Sequence, residues 1–197
     1  PGQETYELSN FLNGTALIKG KAVGTFYSYK FIGLNPLDGG PMFDDYEDRI
    51  DELKGLGKYD TFTKVLTSSG RREPIISGSL NNTITWKNIR IGLTLAYSLG
   101  AKTRLFKLYN FNNANSYADL IYPEDNINRT FINRWQKPGD EAHTNIPAFF
   151  SQHNPNYYNY SMHYSTGYGY PGVKIADNAW DMYNYGNQRV VSANYLK

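Results

Sequence analysis

The chain has 197 residues, with 20 Lys and Arg against 18 Asp and Glu, no Cys, 18 Tyr, 10 Phe and 3 Trp. A formal charge of +2, spread without blocks of one sign, leaves no electrostatic footprint for nucleic acid or a polybasic membrane contact. The lack of Cys excludes disulfides, thiol nucleophiles and thiolate metal sites; a mean hydropathy of −0.59, with no apolar run near ~18 residues, excludes a spanning helix but leaves spanning strands open.

Gly (18) and Asn (21) crowd the chain beside the aromatics, while Lys, Glu and Ala are thin for a helical protein, so the composition reads as one all-β unit with long loops. Pro1 is followed by no signal segment, and the chain stops as a strand begins at Val191, so it reads as a piece of a longer protein.

Residues 19–32 alternate, with Val23, Thr25, Tyr27, Tyr29 and Phe31 on one side and Ala22, Gly24, Phe26 and Ser28 on the other, which predicts a strand. Turn chemistry at Gly33, Asn35, Pro36, Asp38, Gly39, Gly40 and Pro41 ends it and opens a loop over 33–75. Within that loop Tyr46, Ile50 and Leu53 fall at helical spacing, with acids crowding the first turn and Gly55 placed to cap the end, so a short helix is expected.

The clearest element is residues 76–100, where two alternating runs flank Lys87 and Asn88. A two-residue turn there pairs positions that sum to 175. One face then holds Ile76, Leu80, Ile84, Trp86, Ile89, Ile91, Leu93, Leu95, Tyr97 and Leu99, interrupted by Gly78 and Asn82. The other holds Ser77, Ser79, Asn81, Thr83, Thr85, Arg90, Gly92, Thr94, Ala96 and Ser98. A slip of one residue would mix the faces, so the register is strongly specified. Strands of about 11 residues match the ~9–11 that cross a bilayer at a tilt. Long connections leave the open end, and short turns at one end with long loops at the other are the pattern of bacterial outer-membrane barrels.

Residues 101–190 read as a long aromatic loop. A second short helix is expected after Pro123, with Glu124 and Asp125 at its start and Ile127, Phe131 and Trp135 recurring every four residues. Beyond Pro138 periodicity is lost in a Tyr, Asn and Gly tract. Trp135, Tyr157, Tyr158, Tyr160, Tyr164, Tyr168, Tyr170, Trp180, Tyr183 and Tyr185 join flat apolar faces to polar tips. They suit a sugar, a peptide or a protein partner, and equally the packing of a large loop against itself or an interfacial girdle. Residues 191–197 begin another strand.

No other constellation selects a chemistry. His143, His153 and His163 stand ten residues apart, too far for a local metal motif, and read as solvated or hydrogen-bonded loop residues. Asp44, Asp45, Glu47, Asp48, Asp51 and Glu52 lack the sixth-position Gly and alternating oxygens of a calcium loop and read as a helix N-terminus with a solvated face. Asp119, Asp140, Glu141, Asp177 and Asp181 could be nominated for glycoside hydrolysis, but no spacing selects a pair. No catalytic residue, metal or cofactor is assigned.

Four stretches together resemble the C-terminal barrel portion of SusC/RagA-type TonB-dependent outer-membrane receptors. Residues 24–30, running into Gly33-Leu34-Asn35-Pro36 and Gly40-Pro41-Met42-Phe43, are similar to the family's Tyr-rich strand entering a Gly-Leu-Asp-Pro turn, with Asn35 in place of Asp. Gly70, Pro74 and residues 80–91 resemble the family hairpin, with Trp86 where Tyr is usual and Arg90 where Asp is common. Arg134-Trp135-Gln136-Lys137-Pro138-Gly139-Asp140 with Pro147 looks like an outer-loop signature, and residues 191–197 like the next strand's start. The resemblance implies part of a 22-stranded, plugged transmembrane β-barrel in the outer membrane of a Gram-negative, Bacteroidetes-like bacterium. It implies import of an oligosaccharide or peptide, a SusD-like lipoprotein lid, and coupling to TonB through segments this sequence lacks. The apolar hairpin face would then meet lipid, and the loop aromatics substrate or lid. The alternatives are a soluble all-β carbohydrate- or peptide-binding module, in which the same face is a sandwich core, and a glycosidase.

Overall fold

A computed structural model of the chain describes residues 6–108, 127–149, 155–163, 173–175 and 178–197. The fold is mostly sheet with a few short helices. Helix α1 (Leu8–Asn13) opens the described chain with a capping box, the Asn10 side chain accepting from the Glu7 N–H at 3.1 Å. It packs on strand β1 (Thr25–Ser28), with the Phe11 and Tyr27 rings 5.7 Å apart, edge to face.

The single strand expected over 19–32 is instead two short ones. Residues 19–24 are turns, Lys21 donating to the Ile18 carbonyl. β1 is followed by β2 (Phe31–Leu34), which pairs with β3 (Pro41–Phe43) in a separate sheet. Between them Tyr29 changes partner: its N–H donates to the Tyr185 carbonyl and its own carbonyl accepts from Asn187. All four β1 residues are buried, because α1 covers one side and the Arg104 guanidinium lies over Phe26 on the other. Alternation in the sequence therefore marks no exposed face here.

The helix expected after Asp44 is a 3₁₀ segment, Glu47–Leu53, broken at Arg49 by a non-helical backbone. Gly55 does follow it in the left-handed region. Helix α2 (Lys58–Val65), which the sequence reading missed, then buries Phe62 and Val65 and leads into β4 (Thr67–Arg71), the antiparallel partner of β1.

Strands β5 (Ile76–Trp86) and β6 (Ile89–Leu99) form the long hairpin in the register the alternation specifies, from Ile76 opposite Leu99 to Trp86 opposite Ile89. After β7 (Lys102–Arg104), the 3₁₀ turns Arg129–Asn133 and Asp140–Ala142, α3 (Tyr157–Ser161) and α4 (Ala179–Asn184), the chain returns. β8 (Val190–Ser192) pairs with β7, and β9 (Tyr195–Leu196) adds to the outer edge of β6 opposite Tyr97 and Ser98. The helix expected from Pro123 is represented by the Arg129–Asn133 turn, which buries Phe131 and is capped by the Asn128 side chain; its expected start lies outside the described residues.

The main core gathers Phe11, Leu53, Phe62, Leu108, Ile175 and Met182 from across the chain, all essentially sealed from solvent. Strand β7 is tied to it by Arg104, which donates to the Leu12 and Tyr27 carbonyls (3.0 and 2.9 Å) and to Ser28 Oγ (2.9 Å). Its guanidinium lies between the Phe26 and Tyr185 rings, and burial pulls its pKa down. The hairpin thus leaves a packed body at one end and extends from it with both faces exposed.

Candidate functional site

Two features go beyond ordinary packing. The first is the bare apolar face of β5 and β6. Nine large side chains on it (Ile76, Leu80, Ile84, Trp86, Ile89, Ile91, Leu93, Leu95 and Leu99) are exposed by 36% or more. Each is worth about 1.5–3 kcal/mol when fully removed from water, so the face carries a large unmet driving force for burial. Eleven residues reach ~37 Å along a strand, or ~28 Å in depth at a tilt near 40°, close to the ~25 Å apolar band of outer-membrane barrels.

Aromatic side chains stand near the two ends of that band, Tyr97 one same-face row short of the Ile76 and Leu99 pair. Trp86 sits beside the turn, and Tyr97 lies across from Gly78, eight residues back along β5. The Tyr97 ring covers Gly78 so closely that a Cβ there would come within 2.7 Å of the phenol oxygen, so only glycine lets the ring lie flat across the pair. Lys87, the first turn residue, has φ 52° and folds its ammonium back over the Trp86 ring, 5.0 Å from the centroid. The opposite face is short and polar, with Arg90 as its one charge.

The second feature is a clamp around the turn over 33–41. The Asn35 and Asp38 side chains tie the turn, accepting from the N–H groups of Leu37 and Gly40 at 2.9 Å each. Asp38 also accepts from Asn156 Nδ2 at 2.7 Å and from the Tyr160 hydroxyl at 3.1 Å. Trp135 lies on Gly39, whose φ of 72° and the 2.4 Å from a built Cβ to the indole both require glycine. The indole Nε1 donates to Glu141 Oε2 at 3.0 Å, and Ala148 N–H reaches the Gly39 carbonyl at 3.0 Å. Leu34, Trp135, Ala148 and Trp180 form a second buried cluster, with Phe31, Tyr157 and Tyr160 against it. Two of the stretches that carry the family resemblance, 33–41 and 134–140, thus meet in space though a hundred residues apart.

The clamp changes the reading of the loop aromatics. Trp135, Trp180 and Tyr183 are buried in the chain's own core, so their ring faces are spent on packing rather than offered to a ligand. Tyr157, Tyr160 and Tyr185 are half-buried; Tyr158, 60% exposed, is the one described tyrosine of the set with an open face. Tyr164, Tyr168 and Tyr170 lie outside the described residues. Burial pushes the Tyr160 and Tyr183 phenols up to about 12, in Tyr183 against the pull of the Arg189 guanidinium.

Most of the acidic stretch is paired, Asp51 with Lys54 among them. Asp44 meets Lys30 Nζ at 2.6 Å and an Arg49 nitrogen at 2.9 Å, and the Lys30 hydrogen bond holds its carboxyl below the usual range. Asp45 is buried against His163 Nε2 at 2.8 Å, and Glu52 pairs with Lys64. Asp140 accepts from the backbone N–H groups of Gln136 and Lys137, while Asp181 donates its backbone N–H to the Asn178 cap and its carboxylate accepts from Asn178 Nδ2 at 3.2 Å. Glu141 is held below the usual carboxylate range by backbone donation and by the Trp135 indole. These carboxylates serve turns and caps, and among the described residues no group of three ligands converges on a metal position. His153, Asp119 and Asp177 lie outside the described residues.

The composition-based reading missed the half-buried guanidinium of Arg104, the buried one of Arg189, and the Asp38, Asn156 and Tyr160 network. Only the Asp-Gly-Gly turn sequence could have hinted at the network. No protein-family model matches this chain, and no curated protein matches it.

Proposed function

We propose that the chain is part of a TonB-dependent outer-membrane importer of nutrients, an oligosaccharide or a peptide, working with a SusD-like surface lipoprotein. In this reading β5 and β6 are two staves of a large plugged barrel, and the clamped body beyond Leu99 is outer-face structure. The observation that carries it is the hairpin: two 11-residue strands, a two-residue turn, and one apolar face left bare from Trp86 to the Ile76 and Leu99 row. A hairpin exposed on both faces is at best marginal in water, whereas lipid on one face and a filled lumen on the other would satisfy both. Two further features support the reading. β9 joins the outer edge of β6 as the next antiparallel stave would, and the motif stretches converge in one clamp. Lipid tolerates no open sheet edge, so the outer edge of β5 calls for a neighbouring strand from the rest of the assembly.

The test is extraction of source membranes in mild detergent, followed by sizing and identification of every chain in the particle. A large detergent-bound barrel travelling with a lipoprotein supports the importer; a detergent-free particle of 22.5 kDa overturns it and leaves Tyr158 and its neighbours as the face of a water-soluble binding module.

A further inference from the structure

The turn that joins β5 to β6 carries a feature that wall-building does not require. Hairpin turns of two residues favour glycine or asparagine where φ is positive, yet the first turn residue here is Lys87 at φ 52°. A lysine held there is mildly strained, and its ammonium is folded back over Trp86 rather than extended into solvent. Trp86 is itself 64% exposed at the end of the apolar band. From residue 74 to residue 118 the sequence contains no Asp or Glu, so the hairpin offers Lys87 no carboxylate of its own. Arg90 is three residues on, but its register opposite Thr85 puts it on the polar face.

An ammonium seated on an indole keeps N–H donors free for another acceptor. At the rim of an apolar band, the complementary acceptor is a lipid phosphate: the ring beds at the acyl boundary and the cation meets the headgroup plane. We infer that Trp86 and Lys87 form a headgroup site for an anionic phospholipid at the short-turn end of the barrel. This rests on the membrane reading above and adds to it a lipid preference. The site takes the phosphodiester of a lipid with net negative charge, phosphatidylglycerol being the probe, and leaves zwitterionic lipids unselected. The strained lysine is the distinguishing point, since glycine at 87 would make the better turn and no site.

The experiment uses the whole detergent-extracted assembly, moved into vesicles of phosphatidylethanolamine and phosphatidylglycerol and then recovered with its retained lipid, which is quantified by mass spectrometry. The parent should retain phosphatidylglycerol above its share of the vesicle. Lys87→Gln should lower that enrichment about five-fold, the worth of one interfacial cation. Lys87→Arg should keep it, and Arg90→Gln, on the other face, should leave it unchanged. Lys87→Gly should lose the enrichment while unfolding no more readily than the parent, which separates lipid selection from turn stability. Equal enrichment in the parent and in Lys87→Gln overturns the site and leaves the barrel standing. An equal loss in Arg90→Gln likewise overturns it, by showing only a general charge effect. An assembly that never enters the vesicles overturns the site and the membrane reading together.

Discussion

Leu93→Arg tests the proposal that the apolar face of the hairpin lies in lipid, and at what depth. Leu93 faces Asn82, and that row lies four residues from Trp86 and four from Gly78, which faces Tyr97. Four residues span ~14 Å of strand, or ~10 Å of depth at a tilt near 40°, so Leu93 sits midway between the two aromatic rows. An Arg on the lipid face costs ~2–4 kcal/mol at the midplane and ~0–1 near the interfaces. That corresponds to about a 30- to 700-fold fall in the folded-to-unfolded ratio for Leu93→Arg. Ile89→Arg, in the row beside the turn, should fall by less than about five-fold on the same scale. Thr94→Arg is the control for side: it adjoins Leu93 in sequence but projects from the polar face. The assay is denaturant unfolding of the assembly in lipid, with the midpoint compared among the three variants and the parent. In water the result would differ, because Leu93 is already 60% exposed and surface substitutions stay within about 0.5 kcal/mol. Equal, small effects at positions 89, 93 and 94 would refute the lipid-facing assignment.

Further expectations concern the face and the clamp. Asn82, the polar break in the apolar face, should gain about 1–2 kcal/mol in lipid when changed to Leu, because an amide then leaves an apolar surround; an unchanged unfolding midpoint would mean the face is not in lipid. Trp135→Ala empties the seat on Gly39 and removes the donor to Glu141, so it should cost about 3–5 kcal/mol and raise the protease sensitivity of the 134–148 segment first; cleavage spread evenly over the chain would contradict the clamp. Tyr160 and Tyr183 are pushed up to about 12 when folded, against ~10 when unfolded. The folded chain therefore holds protons that the unfolded chain releases. Stability is fully present below ~pH 10 and falls as pH rises towards ~12. Thermal midpoints followed across that window should drop in the parent and drop less in Tyr183→Phe.

The parts of the fold legible in the sequence are those whose geometry is set locally. The β5 and β6 register follows from a period of two and a two-residue turn, and no distant residue can alter it without inverting a face. The Gly55 stop and the 33–41 turn are likewise fixed by residues within a few positions. Residues 19–32 show the opposite case. Their alternation is as clean as that of the hairpin, yet the strand breaks at Tyr29, because the backbone of 185–187 supplies hydrogen bonds there from more than 150 residues away. The aromatic tract was legible as a set but not residue by residue. Whether a tyrosine packs or projects depends on Asp38, Gly39 and Trp135 arriving from other segments, and composition carries no record of that.

The two halves of the structure make different demands on their surroundings. The clamped body meets most of its own demands: its core aromatics are buried, most of its acids have partners, and Arg104 finds three oxygens. The hairpin does not, since its apolar face and the outer edge of β5 are left without cover among the described residues. A second sheet, as in a sandwich, would cover the face and would pack against the middle of it, where Asn82 sits. Lipid and a neighbouring stave would cover face and edge together, and under the proposed importer Trp86 and Tyr97 stand where interfacial aromatics are expected. A sandwich core has no interface at its ends for an exposed tryptophan and a stacked lysine to occupy.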